Sequence, residues 1–242
     1  MLHNIDPLRL APPKGTAKRG VDADVDADSP YDLRFRALLG AEEWAALPEA
    51  VQARFSKRLA LGSSANYCGH VIHCRMNIWG RIFSQACRLI GAPLPLDTGG
   101  GTAANVSVTE DGESGGQNWS RIYARRNGFP QTIHSAKRFA GPSGLEEFVG
   151  RRLGVTLGIE RIEHGIRFVG ACYFVMMMGR RWVIPALLSP GELIVDHRDL
   201  GDGSFTFRLK LDHRVFGEMI HQHCQFRDMP EVSDKRAPPV VT

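Results

Sequence analysis

Residues 102–139 read TAANVSVTEDGESGGQNWSRIYARRNGFPQTIHSAKRF, and this stretch decides the fold class. Apolar and polar residues alternate in TAANVSVTE, again in NWSRIYARR and again in FPQTIHSAKRF, which is the two-residue period of a β-strand. DGESGG separates the first two segments as a turn, and Asn127–Gly128, a dipeptide typical of hairpins, separates the last two. The stretch therefore predicts three consecutive antiparallel strands.

Further strands follow toward the C-terminus. Their segments are IRFVGACYFVMM (166–177), ELIVDHRDL (192–200), SFTFRLKLDH (204–213) and EMIHQHCQF (218–226). Sequential strands joined by close turns form an antiparallel sheet, and roughly six to nine of them are enough to curl into a half-barrel or a barrel. The sequence shows no recurring strand–helix–strand units, which argues against a doubly wound nucleotide-binding fold.

Helical patterns precede these strands. Residues 29–59 carry apolar side chains at helical spacing, with Pro48 at the start of a second helix. Residues 69–76 predict a strand, and residues 78–91 predict a helix with Gly91 as its C-terminal cap. One side of that helix carries Ile78, Ile82, Phe83, Ala86 and Ile90. We therefore expect an α+β fold whose N-terminal helices pack on, or plug, a curved, mainly antiparallel β-sheet.

Both ends of the chain have the composition of tails. Residues 11–20 are rich in proline, glycine and lysine, residues 21–28 alternate aspartate with small residues, and residues 229–242 are similarly poor in apolar side chains. Such segments cannot bury enough apolar surface to fold. We expect disordered tails at 1–29 and 229–242 around a single globular domain at 30–228.

The overall composition narrows the functional classes. The chain has 242 residues, 43% of them hydrophobic, and a net charge of +4 with scattered arginine doublets, so we expect no nucleic-acid partner. None of the five cysteines has the spacing of a zinc or redox motif, which leaves reduced thiols as the simplest account. A secretory leader and a transmembrane segment are not recognisable. We expect a cytoplasmic protein without a cofactor.

The strongest candidate site is WSRIY, residues 119–123. On a strand, Trp119, Arg121 and Tyr123 share one face, and an arginine beside aromatic rings can stack on them while presenting its guanidinium group. Inside a curved sheet this cation needs an anion, because an unpaired buried charge costs several kcal/mol. One alternative is an internal ion pair with Glu147 or Asp196. The other is the acidic head of a small apolar ligand, which Ser135 would also help to bind.

Two further interpretations stay open. A small cavity enzyme of the isomerase or cyclase type would use His134 as a general base oriented by Asp196 or Glu147. In a purely structural or accessory module, the protein's own side chains would fill the core instead of a ligand. The stretch MIHQHCQF suggests a metal, yet on a strand His221 and His223 face one side and Cys224 the other, so we expect no metal site. We expect these histidines on the wet face of an edge strand, with Cys224 packed inward.

Several motifs together resemble a known family. They are FRALLGAEEWAALPEAVQARF (35–55), GAPLP (91–95), WSRIY (119–123), IHS (133–135), EEFVG (146–150), IPALLSP (184–190) and GSFTFRLKL (203–211). On these motifs the chain is similar, over roughly residues 33–226, to the bacterial family called domain of unknown function 4166. The resemblance implies accessory association with dehydrogenase-like domains, and it places Glu147 and Asp196 on family positions. The His/Cys group near Cys224 departs from the family pattern.

Overall fold

The computed structural model describes residues 31–59, 63–89, 91, 94–150 and 152–229. Its helices are α1 (Arg34–Leu39), α2 (Ala41–Ala45), α3 (Glu49–Ser56) and α4 (Ile78–Leu89), with a 3-10 turn at Ala186–Leu188. Its strands are β1 (Ala65–Met76), β2 (Ala103–Asp111), β3 (Gly116–Tyr123), β4 (Gln131–Arg138), β5 (Glu146–Val149), β6 (Leu153–Ile162), β7 (Gly165–Met177), β8 (Arg180–Val183), β9 (Glu192–Asp199), β10 (Ser204–His213) and β11 (Gly217–Asp228). The predicted tails lie outside the described residues, except for Met229, so the domain boundaries stay a prediction.

Ten of the strands close into an antiparallel barrel. Their order is β6-β5-β4-β3-β2-β1-β11-β10-β9-β7, and β6 also pairs with β7, which joins the two ends of the sheet. The short β8 forms a hairpin with the last residues of β7. Strands β2, β3 and β4 occupy the stretch that decided the fold class, and of the two predicted shapes the barrel is confirmed.

The predicted fold class is confirmed only in part, because the sheet is curved and antiparallel but the fold is mostly β and not α+β. The helices α1, α2 and α3 have six, five and eight residues, and together with α4 they sit at the two ends of the barrel instead of forming a layer on one face of a sheet. Helical periodicity identified segments of the right type. It could not show that nearly all the remaining chain is used to close the ring of strands.

Helices α1 to α3 plug one end of the barrel, which we call the lower end. Phe35 of α1 is fully buried and packs edge-on against Phe55 of α3, with ring centroids 5.2 Å apart. Arg54 of α3 donates hydrogen bonds to Asp199, at the end of β9, and to Asp228, at the end of β11. These contacts join the helices to the strand ends.

Helix α4 lies across the other end, which we call the upper end. It packs on β1 and β11, and a Cβ atom added at Gly80 would lie 2.0 Å from the carbonyl oxygen of Met219. The buried positions of α4 are Gly80, Ser84 and Cys87. Most of the predicted apolar side of this helix faces outward, since Ile78 and Ile82 are 64% and 54% exposed and Ala86 is exposed too. Phe83 is instead half-buried against the barrel, and Ile90 lies outside the described residues.

Strand β11 is also not an edge strand, contrary to prediction. It pairs with β10, its neighbour in sequence, on one side and with β1, the first strand of the described chain, on the other, so it lies inside the sheet. Its alternation is as predicted, with Cys224 fully buried and His221 and His223 on the opposite side. Among the described residues, no helix is long and apolar enough to cross a membrane.

Candidate functional site

Strand β3 directs three predicted site residues into the barrel. Trp119, Arg121 and Tyr123 all border the interior cavities, as alternation along the strand predicted. The Arg121 guanidinium lies 5.6 Å from the Trp119 ring and 5.7 Å from the ring of Phe207 on β10. The second aromatic partner of the arginine is therefore Phe207 from across the barrel.

Ser135 and Glu147 hold Arg121 from the neighbouring strands. Arg121 Nη1 donates to Ser135 Oγ at 2.9 Å, and Ser135 Oγ donates in turn to Glu147 Oε1 at 2.7 Å. Arg121 Nη2 lies 3.5 Å from the same carboxylate oxygen, a long contact for an ion pair. Of the two acidic partners considered from the sequence, Glu147 contacts Arg121 and Asp196 does not.

A third charged residue, Lys137, completes the cluster. Its Nζ lies 3.0 Å from Glu147 Oε2, and only 3% of the residue is exposed. Burial lowers the pKa of Lys137, and nearby Arg121 lowers it further, while Glu147 acts in the opposite direction. Two buried basic side chains thus share one buried carboxylate, so this part of the interior carries an excess positive charge whenever Lys137 is protonated.

Glu147 is the anion on which both cations depend. Burial alone would raise the pKa of its carboxyl group, but Lys137, Arg121 and the Ser135 hydroxyl outweigh burial and lower the pKa to about 2. The carboxylate therefore stays ionised at neutral pH. It fixes the geometry of the cluster without neutralising it.

Two cavities lie on either side of Arg121. The upper cavity, of about 100 Å³, and the lower cavity, of about 40 Å³, are both bordered by Arg121, Tyr123 and Phe207, which form the wall between them. Most other side chains around the upper cavity are aliphatic, contributed by Leu153, Val155, Leu193, Val195, Leu209, Leu211 and Ile220. Helix α4 contributes Phe83 and Cys87 to the same lining and so lies over this cavity.

Each cavity is lined by one residue that has a buried polar atom without a partner among the described residues. In the upper cavity it is the hydroxyl oxygen of Tyr173, a residue that is 8% exposed and whose pKa is raised by burial. In the lower cavity it is Nδ1 of His197, whose pKa is lowered to about 3 by burial and by Arg54. Buried polar atoms are normally hydrogen-bonded, so both mark positions where a ligand or water would be stabilised.

The structure does not assemble the predicted catalytic pair. His134 lies on the outer surface, where its Nδ1 is 2.9 Å from Ser120 Oγ. Asp196 is bound by Arg167, whose Nε lies 2.7 Å from its carboxylate, and by Arg208. Because Glu147 points into the barrel and His134 points out of it, neither carboxylate orients this imidazole.

The two histidines of β11 meet a third one on β1. The His73 ring lies 4.9 Å from that of His221 and 5.5 Å from that of His223. Within the part of the chain that the structure describes, no three His, Cys, Asp or Glu side chains are arranged to hold a metal ion. Cys224 is fully buried and points to the other side of the strand. The absence of bound zinc stays a prediction.

Sequence reasoning missed Lys137, Tyr173, Phe207 and His197. Alternation along β4 puts Lys137 on the same face as Ser135, so the sequence did contain a signal for this residue. The other three lie on β7, β10 and β9, and they reach the cavities only because the barrel closes. No local pattern could have grouped them with Arg121.

Fold and site together define a small antiparallel barrel with a divided, largely apolar interior and a buried cationic cluster. The family model described as "Domain of unknown function (DUF4166)" matches residues 47–226. Because the match covers most of the chain, the protein belongs to this family. Neither a search of curated proteins nor a search of solved structures finds a significant match. Association with dehydrogenase-like domains, a bacterial source and a cytoplasmic location stay predictions.

Proposed function

We propose that this protein binds a small apolar molecule with an acidic head group inside the barrel, with Arg121 as the anchor for the head. The observation that carries the proposal is the sharing of Glu147 by Arg121 and Lys137 next to an apolar cavity. A buried excess cation is costly, and an anionic ligand would remove that cost while its apolar part fills the cavity. Tyr123, Ser135 and Glu147 border the same upper cavity and would complete the head-group site, while Trp119 borders the lower cavity and would support Arg121 through its ring.

Arg121 has further N–H donors that are available to such a ligand. A guanidinium group has five N–H donors, and in the described structure Arg121 makes hydrogen bonds only to Ser135 and Glu147. Its contact with Glu147 is also longer than that of Lys137, so the carboxylate is held mainly by the lysine. A ligand carboxylate could therefore join Arg121 without displacing the internal ion pair.

The cavity limits the size of the ligand. A single buried water needs about 10–15 Å³ of cavity volume. The upper cavity, of about 100 Å³, therefore corresponds to roughly seven to ten waters. A ligand of about ten non-hydrogen atoms fits this volume, which favours a medium-chain acid over a long-chain one. The Tyr173 hydroxyl, which has no partner among the described residues, would form a hydrogen bond with a polar group on the ligand away from its acidic head.

The test is isothermal titration calorimetry with saturated carboxylic acids of increasing length and with the matching primary alcohols. We expect the acids to bind and the alcohols to bind at least tenfold more weakly. Arg121→Met should weaken binding of the acid by about tenfold to a hundredfold, the range of one charge-assisted hydrogen bond. Arg227→Met is the control, since this arginine is exposed on the outside of the barrel.

Two results would contradict the proposal. If the parent protein binds none of the acids in the series, the domain is a structural module in which Arg121 serves only as an internal ion-pair partner. Equal loss of binding in the Arg121 and Arg227 variants would show that surface charge, and not the barrel interior, attracts the acid.

A further inference from the structure

Helix α4 presents an apolar face to solvent. Ile78, Ile82 and Leu89 are 64%, 54% and 89% exposed. At 3.6 residues per turn these three positions lie within about 40° of one another. Gly80, Ser84 and Cys87 form the buried side of the helix. A surface helix of a globular protein normally buries its apolar side, so the orientation of α4 is the reverse of the usual one.

The turn between β10 and β11 extends this surface. Trp79 of α4 stacks on Phe216 with ring centroids 4.4 Å apart, and Asn77 Nδ2 donates to the Phe216 carbonyl oxygen at 2.8 Å. The neighbouring Val215 is 75% exposed. We call the combined surface the apolar rim, and its members are Ile78, Trp79, Ile82, Leu89, Val215 and Phe216. A large exposed apolar patch of this kind marks an interaction surface.

The end of the barrel that carries the apolar rim is rich in arginine. Described residues in the connections at the upper end include six arginines, which are Arg81, Arg88, Arg125, Arg126, Arg152 and Arg214. The same connections contain one acidic residue, Asp97, which is already paired with Arg125 at 3.2 Å. The connections at the lower end, residues 112–115, 139–145, 163–164 and 200–203, contain three acidic residues and no lysine or arginine. The segment with α1 to α3, residues 31–59, adds five basic and four acidic residues to the lower end, so the lower end lacks the excess of arginine that the upper end has.

We propose that the upper end docks on an anionic lipid surface through the apolar rim. Apolar side chains of an amphipathic helix enter the boundary between head groups and acyl chains, tryptophan prefers this depth, and flanking arginines attract anionic lipids. A second copy of the chain is a poorer partner, because pairing two such ends would bring two sets of arginines together. The described chain starts and ends near the lower end, at Tyr31 and Met229, away from the apolar rim.

The position of α4 connects this surface to the cavity. Phe83 and Cys87 on the inner side of the helix border the upper cavity, while Ile82 and Leu89 face outward. An amphiphilic acid concentrates in the same lipid boundary that the apolar rim would contact, so docking would bring the ligand next to its cavity. This last step rests on the proposed function, whereas docking on lipid does not.

The experiment is sedimentation of the full chain with phosphatidylcholine vesicles, with and without phosphatidylglycerol. We expect binding to the phosphatidylglycerol vesicles that weakens as salt is raised. Ile82→Glu with Leu89→Glu should lower the bound fraction at least tenfold at unchanged Tm, because both side chains are already exposed. Leu200→Glu is the matched control, since Leu200 is 49% exposed in the turn between β9 and β10 at the lower end.

The outcomes separate the two proposals. Arg121→Met should bind vesicles as the parent does, so loss of ligand binding and loss of docking can be told apart. Docking on lipid is overturned if the parent does not sediment with phosphatidylglycerol vesicles, or if Leu200→Glu loses binding equally. It is also overturned if light scattering shows a dimer that Ile82→Glu with Leu89→Glu converts to monomer, because the apolar rim is then a contact between copies.

Discussion

Arg121, Lys137 and Glu147 form a buried cluster in which the roles of the two cations differ. Lys137 lies 3.0 Å from the carboxylate, whereas Arg121 lies 3.5 Å away and has its shorter hydrogen bond with Ser135. Removing Arg121 would leave a neutral Lys137–Glu147 pair. Removing the charge of Glu147 would instead leave two cations together in the interior.

This difference predicts unequal effects on stability. Glu147→Gln should lower the free energy of unfolding by about 3–5 kcal/mol, the cost of leaving buried charge uncompensated. Arg121→Met should change it by no more than ~1 kcal/mol, because Glu147 keeps its lysine and its serine. Urea denaturation at neutral pH measures both values. If Arg121→Met costs as much as Glu147→Gln, the arginine is a structural ion-pair partner and is not available as an anchor.

Helix α4 has one side packed closely against the barrel and an apolar side exposed to solvent. Asn77 Oδ1 accepts a hydrogen bond from the Gly80 backbone N–H at 2.8 Å and so caps the start of the helix. Gly80 then allows the helix backbone to approach the Met219 carbonyl of β11. Because small residues bring this side so close to the barrel, the larger apolar residues are left on the outer side.

Gly80→Ala tests this close approach. In a helix without neighbours the substitution would stabilise by about 0.5–1 kcal/mol. Here the added Cβ would lie 2.0 Å from a backbone oxygen, so α4 must shift, and we expect a net loss of about 1–3 kcal/mol from overpacking. Gln85→Ala, at an exposed position of the same helix, is the control and should change stability by less than ~0.5 kcal/mol. A Gly80→Ala variant more stable than the parent would contradict this packing.

The barrel as a whole has two different ends. Three short helices tie the lower end together through Arg54, Asp199 and Asp228, and its connections are acidic. One helix with an apolar outer side lies over the upper end, and its connections are basic. The proposed ligand site lies between the ends, at the wall that separates the two cavities.

The segments outside the described residues give a prediction about the folding unit. We propose that residues 30–229 fold alone, because the described strands already close the barrel and the terminal segments are poor in apolar residues. The truncated chain should unfold within a few degrees of the full chain in a thermal melt followed by circular dichroism. An insoluble product, or a Tm lower by more than about ten degrees, would show that the terminal segments pack on the barrel.

Local pattern in the sequence was enough to predict most of the strands and part of the site. Alternation over residues 102–139 placed β2, β3 and β4, and it put Trp119, Arg121 and Tyr123 on one inner face. The same rule separated Cys224 from His221 and His223. These features are accessible because a strand turns each successive side chain to the opposite face, so orientation within one element follows from spacing alone.

Closure of the ring was decided only in three dimensions. The pairing of β1 with β11, which are far apart in sequence, made β11 an inner strand, and closure of the barrel brought Tyr173, His197 and Phe207 to the cavities beside Arg121. The outward orientation of α4 also depended on contact with β11. Periodicity shows which side chains of an element share a face, but which face is buried depends on the surfaces that distant parts of the chain bring against it.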